Sequence, residues 1–145
     1  VLERVLIVAG VAVLVAGLVA GGRLLAERRL VRLRAKPAGE LWNALGVAPD
    51  GRATVVVFSS PSCGACWTAQ KPAVATLIDR VGDAVRVIGV DIADRPDVAG
   101  AFGVLTVPAT VVMATDGAVL AANHGFATAQ RLAAQLGIAD ASLAG

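Results

Sequence analysis

The sequence predicts an α/β domain, a central mixed sheet flanked by helices, preceded by one N-terminal transmembrane helix. Three observations predict it. Residues 5–22 are 18 positions without a charge. Beyond them, short apolar runs alternate with helical patterns in the order β-α-β-α-β-β-α, and a βαβ half implies parallel strands joined by a crossover helix. Finally, Cys63 and Cys66 fall where the first strand gives way to a helix.

At about 1.5 Å per residue the uncharged segment makes a helix about 27 Å long, close to the thickness of the bilayer's hydrocarbon core. A cleaved secretory leader fits less well, because the apolar run is long, arginines follow directly and 20–23 lacks a clear A-x-A site. Residues 23–35 continue as a basic juxtamembrane helix, with Leu24, Leu25, Leu30, Val31 and Leu33 among arginines that can snorkel outward. Gly17 and Gly21 form a small-xxx-small pair, a pattern that can bring two spans together as a homodimer. Domain limits follow: anchor and juxtamembrane helix 1–36, linker 37–49, folded domain 50–137, tail 138–145, with 139–145 frayed.

Lys36, Pro37, Ala38 and Gly39 stop the first helix. A short helix is expected at 40–45, with Trp42 packing on the domain, and Pro49-Asp50-Gly51 reads as a turn. Residues 53–58 are a continuous apolar strand of the kind buried on both faces. A helix follows from 63 to 81, with Ser62 as its N-cap. Val74, Leu77, Ile78 and Val81 form its core face, and Pro72 must kink it or interrupt its bonding. Residues 85–90 are the second strand. Residues 95–102 make a short helix, capped by Asp94 and with Pro96 in its first turn. The third strand spans 107–113 with Pro108 at its start. A hairpin turn at 115–117 leads to the strand 118–122, and 128–136 is the last helix.

Cys63-Gly-Ala-Cys66 holds the chain's only two cysteines. Two thiols at this spacing at a helix start can close a disulfide with little backbone movement, and the helix N-terminus stabilises a thiolate on the first. Zinc is a poor fit, since it needs about four ligands and His124 is the only other soft donor. A bridge closing so short a loop constrains the unfolded chain little, so a structural role is also weak. His124 reads as an exposed loop histidine, the alternative being a proton shuttle because it precedes Gly125, and Asp91, Asp94 and Asp97 as solvated loop and helix-end carboxylates. No Gly-rich phosphate loop is evident, and no organic cofactor is implied.

Hydrophobic residues make up 57% of the chain, concentrated in the first segment. Residues 1–36 hold seven basic residues against two acidic ones, while the remainder holds six against nine. The basic excess therefore sits where anionic headgroups would be, without interleaved aromatics, and argues for a lipid bilayer rather than a nucleic acid. Six of those seven follow the apolar run, so the positive-inside rule places the C-terminal domain in the cytoplasm, with the extracytoplasmic side as the alternative.

Taken together, the strand-then-CGAC unit, Thr106-Val-Pro108 before the third strand and Gly125 after the fourth resemble the thioredoxin-like superfamily. The resemblance is closer to the small bacterial single-pass membrane-anchored thioredoxin-like proteins, and it covers about 50–137. It implies a thioredoxin-like fold in which Cys63 is the attacking thiol and Cys66 the resolving thiol. The proline matching Pro108 is then cis and packs beside the dithiol. The backbone of Thr106 and Val107 pairs with substrate, and Gly125 lines the same groove. Several positions depart from the family pattern. Ser62 stands where Trp usually precedes the first cysteine, and Trp67 follows the second. Val57 replaces a buried Asp and Gly89 a Lys. Pro72 falls six residues after the second cysteine, where five is usual.

The implied function is a membrane-tethered thiol–disulfide oxidoreductase that reduces protein disulfides and is itself reduced by a thiol system or a membrane redox partner. The alternative is a binding or redox-sensing subunit of a membrane complex, because fold alone does not fix function.

Overall fold

A computed structural model of the chain describes residues 1–138; the frayed tail expected at 139–145 lies outside the described residues. The chain divides into two compact units, Val1–Arg32 and a second that begins at Leu33.

Helix α1 (Leu2–Arg34) runs 33 residues without interruption and makes up the first unit, its last two residues, Leu33 and Arg34, belonging to the second. Its most apolar 18-residue window has a mean hydropathy of 2.6, and none of that window is buried. By length and composition this helix is a candidate membrane span, the element expected from 5–22. No proline interrupts it, and apolar residues lie on all its sides.

The second unit holds α2 (Ala38–Leu45), β1 (Ala53–Ser59), α3 (Lys71–Val81), β2 (Val85–Asp91), α4 (Pro96–Ala101), β3 (Ala109–Met113), β4 (Val119–His124) and α5 (Ala129–Gln135). The sheet runs in the order β2-β1-β3-β4. β1 and β2 are parallel, with α3 in the connection between them as parallel neighbours need, while β3 lies antiparallel to both β1 and β4. This is the expected mixed sheet with helices on both faces.

Strand alternation sorts the core into two layers. Val55 and Val112 face Val74 and Leu77 of α3 and Leu132 and Ala133 of α5. Phe58, three positions on from Val55 and so on the opposite face, meets Phe102 at the end of α4, with ring centroids 5.5 Å apart. α2 packs with α4. More than half of the stretch expected as a linker, 37–49, is thus a helix that buries Leu41, Trp42 and Leu45. Gly117, at φ 85°, turns the β3–β4 hairpin so close to Trp42 that a Cβ there would lie 2.6 Å from Nε1. Before β1, Arg52 hydrogen-bonds Asp50 through its side chain and its own N–H, which holds that carboxyl below its usual range; Arg86 of β2 stands 3.5 Å from the same carboxylate. On the outer strand β4, the Arg34 guanidinium donates to the main-chain carbonyls of Val119 and Leu120.

Four local expectations are corrected. Ser62 does not cap the cysteine helix; its hydroxyl lies 3.4 Å from that of Ser60. Asp94 does not cap α4, whose N-cap position is Arg95 with no side-chain bond. Ile78 is 42% exposed, so the buried stripe of α3 is narrower than its apolar spacing implies. Residues 107–108 precede β3, which begins at Ala109. Thr128, by contrast, caps α5, its hydroxyl accepting the N–H of Arg131 at 3.1 Å.

Candidate active site

The sheet register gathers the predicted site residues at one end. Phe58, at the end of β1, is opposite Ala109, which is opposite His124. The loop leaving β1 toward Cys63, the segment 106–108 entering β3 and Gly125 leaving β4 therefore emerge side by side. The Gly125 N–H donates to the Pro108 carbonyl at 2.9 Å, closing the last two together. Gly125 has φ 108°, a conformation that only glycine adopts readily. The Val107–Pro108 bond is cis. Thr106 is exposed, Val107 half-buried and Pro108 buried.

Cys63 and Cys66 are joined in a disulfide with Cα atoms 5.3 Å apart. Cys63 occupies the N-cap position of the helix beginning at Gly64, and its Sγ accepts the N–H of Cys66 at 3.1 Å. The sulfur thus does the capping expected of Ser62. In the reduced protein the same N–H and the positive end of the helix face a Cys63 thiolate, and both favour it. Cys63 is half-exposed, whereas Cys66 is 4% exposed. The two sulfurs thus differ in access: one reaches solvent, the other is enclosed beside it.

The helix does not simply kink at Pro72. Residues Cys66–Gln70 form a π turn, and the Lys71 N–H bonds the Cys66 carbonyl five residues back. Proline has no N–H to give, and the extra residue between Cys66 and Pro72 is taken up in this wider turn, as π-bulges do. Trp67 stays 52% exposed. Its Nε1 donates to the Pro61 carbonyl at 3.4 Å, and the Lys71 ammonium lies 4.8 Å from the ring centroid.

Behind Cys66 lies a cavity of about 250 Å3, walled by Val57, Val74, Val87 and Gly89 with Lys71 at its side. Val57 and Gly89 are register partners on β1 and β2. Its lining holds no carboxylate. Cys66, 4% exposed, lies against this apolar lining. Val57→Asp is expected to supply a base in this cavity and to speed, near pH 7, the step that consumes the Cys66 proton. The gain expected is up to about 10²-fold, the lower end of what a positioned general base contributes. Stopped-flow release of a small thiol from a mixed disulfide on Cys63 measures it; an unchanged rate in a folded variant would show that proton loss from Cys66 does not limit release.

One residue with a structural tie to this site escaped the sequence reading. Gln70 is 1% exposed, and its side-chain amide pairs with Ala127. Its signal was the single-residue displacement of Pro72. His124 ends β4 on the exposed surface. Among the described residues no group of three or more His, Cys, Asp or Glu is placed to hold a metal ion.

The sequence model of the thioredoxin family matches residues 42–137. Thioredoxin of Bacillus subtilis is 30% identical over 69 residues, which is 48% of this chain and 64% of that protein. The match thus spans just under two thirds of that relative's length. Among solved structures, a mutant thioredoxin of Halobacterium salinarum is similar at a TM-score of 0.52 and 27% identity, over 58% of this chain and 71% of that one. Mitochondrial thioredoxin 3 of Saccharomyces cerevisiae, in its oxidised form, is similar at 0.51 and 26%, over 69% and 86%. The thioredoxin of Fasciola hepatica, at 0.54 and 24% over 68% and 88%, shares the fold.

Proposed function

Because the chain belongs to the thioredoxin family, we propose that it is a membrane-tethered thiol–disulfide oxidoreductase that reduces disulfides in other proteins. The observation that carries the reading is the Cys63–Cys66 disulfide at a helix tip, with one sulfur half-exposed and the other buried. It sits at the same sheet end as the backbone of Thr106, Val107, Pro108 and Gly125, which we assign to substrate binding, with Ser62 and Trp67 flanking the dithiol.

In the reduced protein, the Cys63 thiolate attacks one sulfur of a substrate disulfide. A mixed disulfide forms and the substrate's other sulfur leaves as a thiolate. Cys66 then loses its proton and attacks the Cys63 sulfur, expelling the second substrate thiolate. Two electrons pass to the substrate, and the Cys63–Cys66 bond closes. A dithiol donor, in a thiol system or a membrane partner, reopens it. The full chain in detergent should reduce insulin with dithiothreitol as donor; absence of turnover in either redox state would favour a binding or redox-sensing subunit instead.

The uncharged run of α1 supports the membrane anchor, and the arginines from Arg23 to Arg34 support a cytoplasmic domain. Gly17 and Gly21 share one helix face and offer a site for a second copy of the span. In intact cells, after treatment with a permeant reductant, a membrane-impermeant maleimide should leave Cys63 unlabelled until the cells are ruptured. Labelling without rupture places the domain outside.

A further inference from the structure

We infer that Gln70 is a positioning residue that sets the dithiol against the substrate groove; the inference rests on the oxidoreductase reading. The Gln70 Nε2 donates to the Ala127 carbonyl at 3.0 Å, and the Ala127 N–H donates to Gln70 Oε1 at 2.9 Å. A side-chain amide thus pairs both ways with a main-chain amide, and both groups are buried, Gln70 at 1% exposure and Ala127 at 0%.

The two ends of this pairing belong to the two halves of the site. Gln70 closes the π turn that begins at Cys66. Ala127 lies two residues after Gly125, whose N–H holds the Pro108 carbonyl. One short series of directional bonds therefore runs from the turn carrying the resolving sulfur to the proline of the groove. Elsewhere α3 and α5 meet through Val74, Leu77, Leu132 and Ala133. Apolar contacts of that kind hold the elements together but fix their mutual slide only weakly, because they are non-directional. Hydrogen bonds weaken steeply with angle, so the Gln70 pair fixes the slide.

Disulfide exchange needs the attacking sulfur aligned with the bond it breaks. A protein substrate held along 106–108 and Gly125 brings its disulfide to one place, and Cys63 must be there. A displacement of about 1 Å costs on the order of 10²-fold. A small disulfide approaches Cys63 freely and does not sense the groove.

The test uses the full chain, reduced beforehand, in detergent. Single-turnover rate constants are measured with insulin and with 5,5′-dithiobis(2-nitrobenzoate), for the unaltered protein and for Gln70→Met, which keeps the length but has no amide. The expected result is a loss of roughly tenfold or more toward insulin, with the small disulfide within about twofold, a selectivity that mere loosening of the fold does not give. If Gln70→Met does not fold, Gln70→Asn, which keeps the amide but shortens its reach, carries the same comparison. Equal rates with insulin in a folded variant would overturn the inference, and so would a parallel loss toward both disulfides. The oxidoreductase reading stands or falls separately, on steady-state turnover by the unaltered protein.

Discussion

Cys66→Ser is expected to accumulate on non-reducing gels as a covalent adduct with partner proteins, held through Cys63, whereas Cys63→Ser gives none. The asymmetry follows from placement. Cys63 is half-exposed at the helix tip, where it receives the Cys66 N–H, so it can meet an incoming disulfide. Cys66 is buried and can reach only the sulfur beside it. Removing Cys66 leaves attack intact and deletes the exit, so the mixed disulfide persists. Removing Cys63 deletes the attack. Steady-state insulin reduction should fall in both variants by about 10³-fold or more, the scale on which an essential nucleophile acts. Equal trapping by the two variants would mean that the roles of attacker and resolver are assigned wrongly.

Phe58→Ala is expected to cost about 3–5 kcal/mol, the usual range for emptying a large buried aromatic site. That is a large part of the roughly 5–15 kcal/mol by which small domains are stable. Phe58 is fully buried, packs on Phe102, and pairs in register with Val90 on one side and Ala109 on the other. It is also the last residue but one of β1, so the void opens directly beneath the loops that carry Cys63 and Pro108. Urea unfolding followed by tryptophan fluorescence should show a lower midpoint with an unchanged slope. A loss below about 1 kcal/mol would mean that the α4 side of the sheet collapses into the space.

The order of elements was legible because each strand is a short apolar run with turn residues at its ends, and that signal is local. Residues 53–58 and 85–90 needed no partner to be recognised. The capping of the cysteine helix was not legible: Ser62 and Cys63 stand side by side, and only the backbone path decides which reaches the Cys66 N–H. Asp94 looked like a cap for α4, yet the helix starts at Pro96, and Asp91 rather than Asp94 bonds the loop through the Ala93 N–H. Ile78 follows Val74 at helical spacing, yet its side chain is 42% exposed, so it lies outside the buried stripe. Pro72 announced an irregularity without saying which kind. The displaced Pro72 was the one hint at Gln70, and it named no partner, since Ala127 is 57 residues away in sequence. The family positions Val57 and Gly89 could be read as losses from the sequence. Their register pairing and the apolar space they leave behind Cys66 needed the sheet.

The bonds from Arg34 to Val119 and Leu120 bear on aggregation. An outer strand offers unpaired backbone groups to any neighbouring chain, and proteins commonly protect such strands with charge. Here a cation sits on main-chain carbonyls at the start of that strand. If the chain is anchored in a bilayer as proposed, its copies share a two-dimensional surface and meet far more often than copies free in three dimensions. The same run of arginines that would sort the chain's orientation in a bilayer thus also contributes one member that discourages neighbours from stitching together strand to strand.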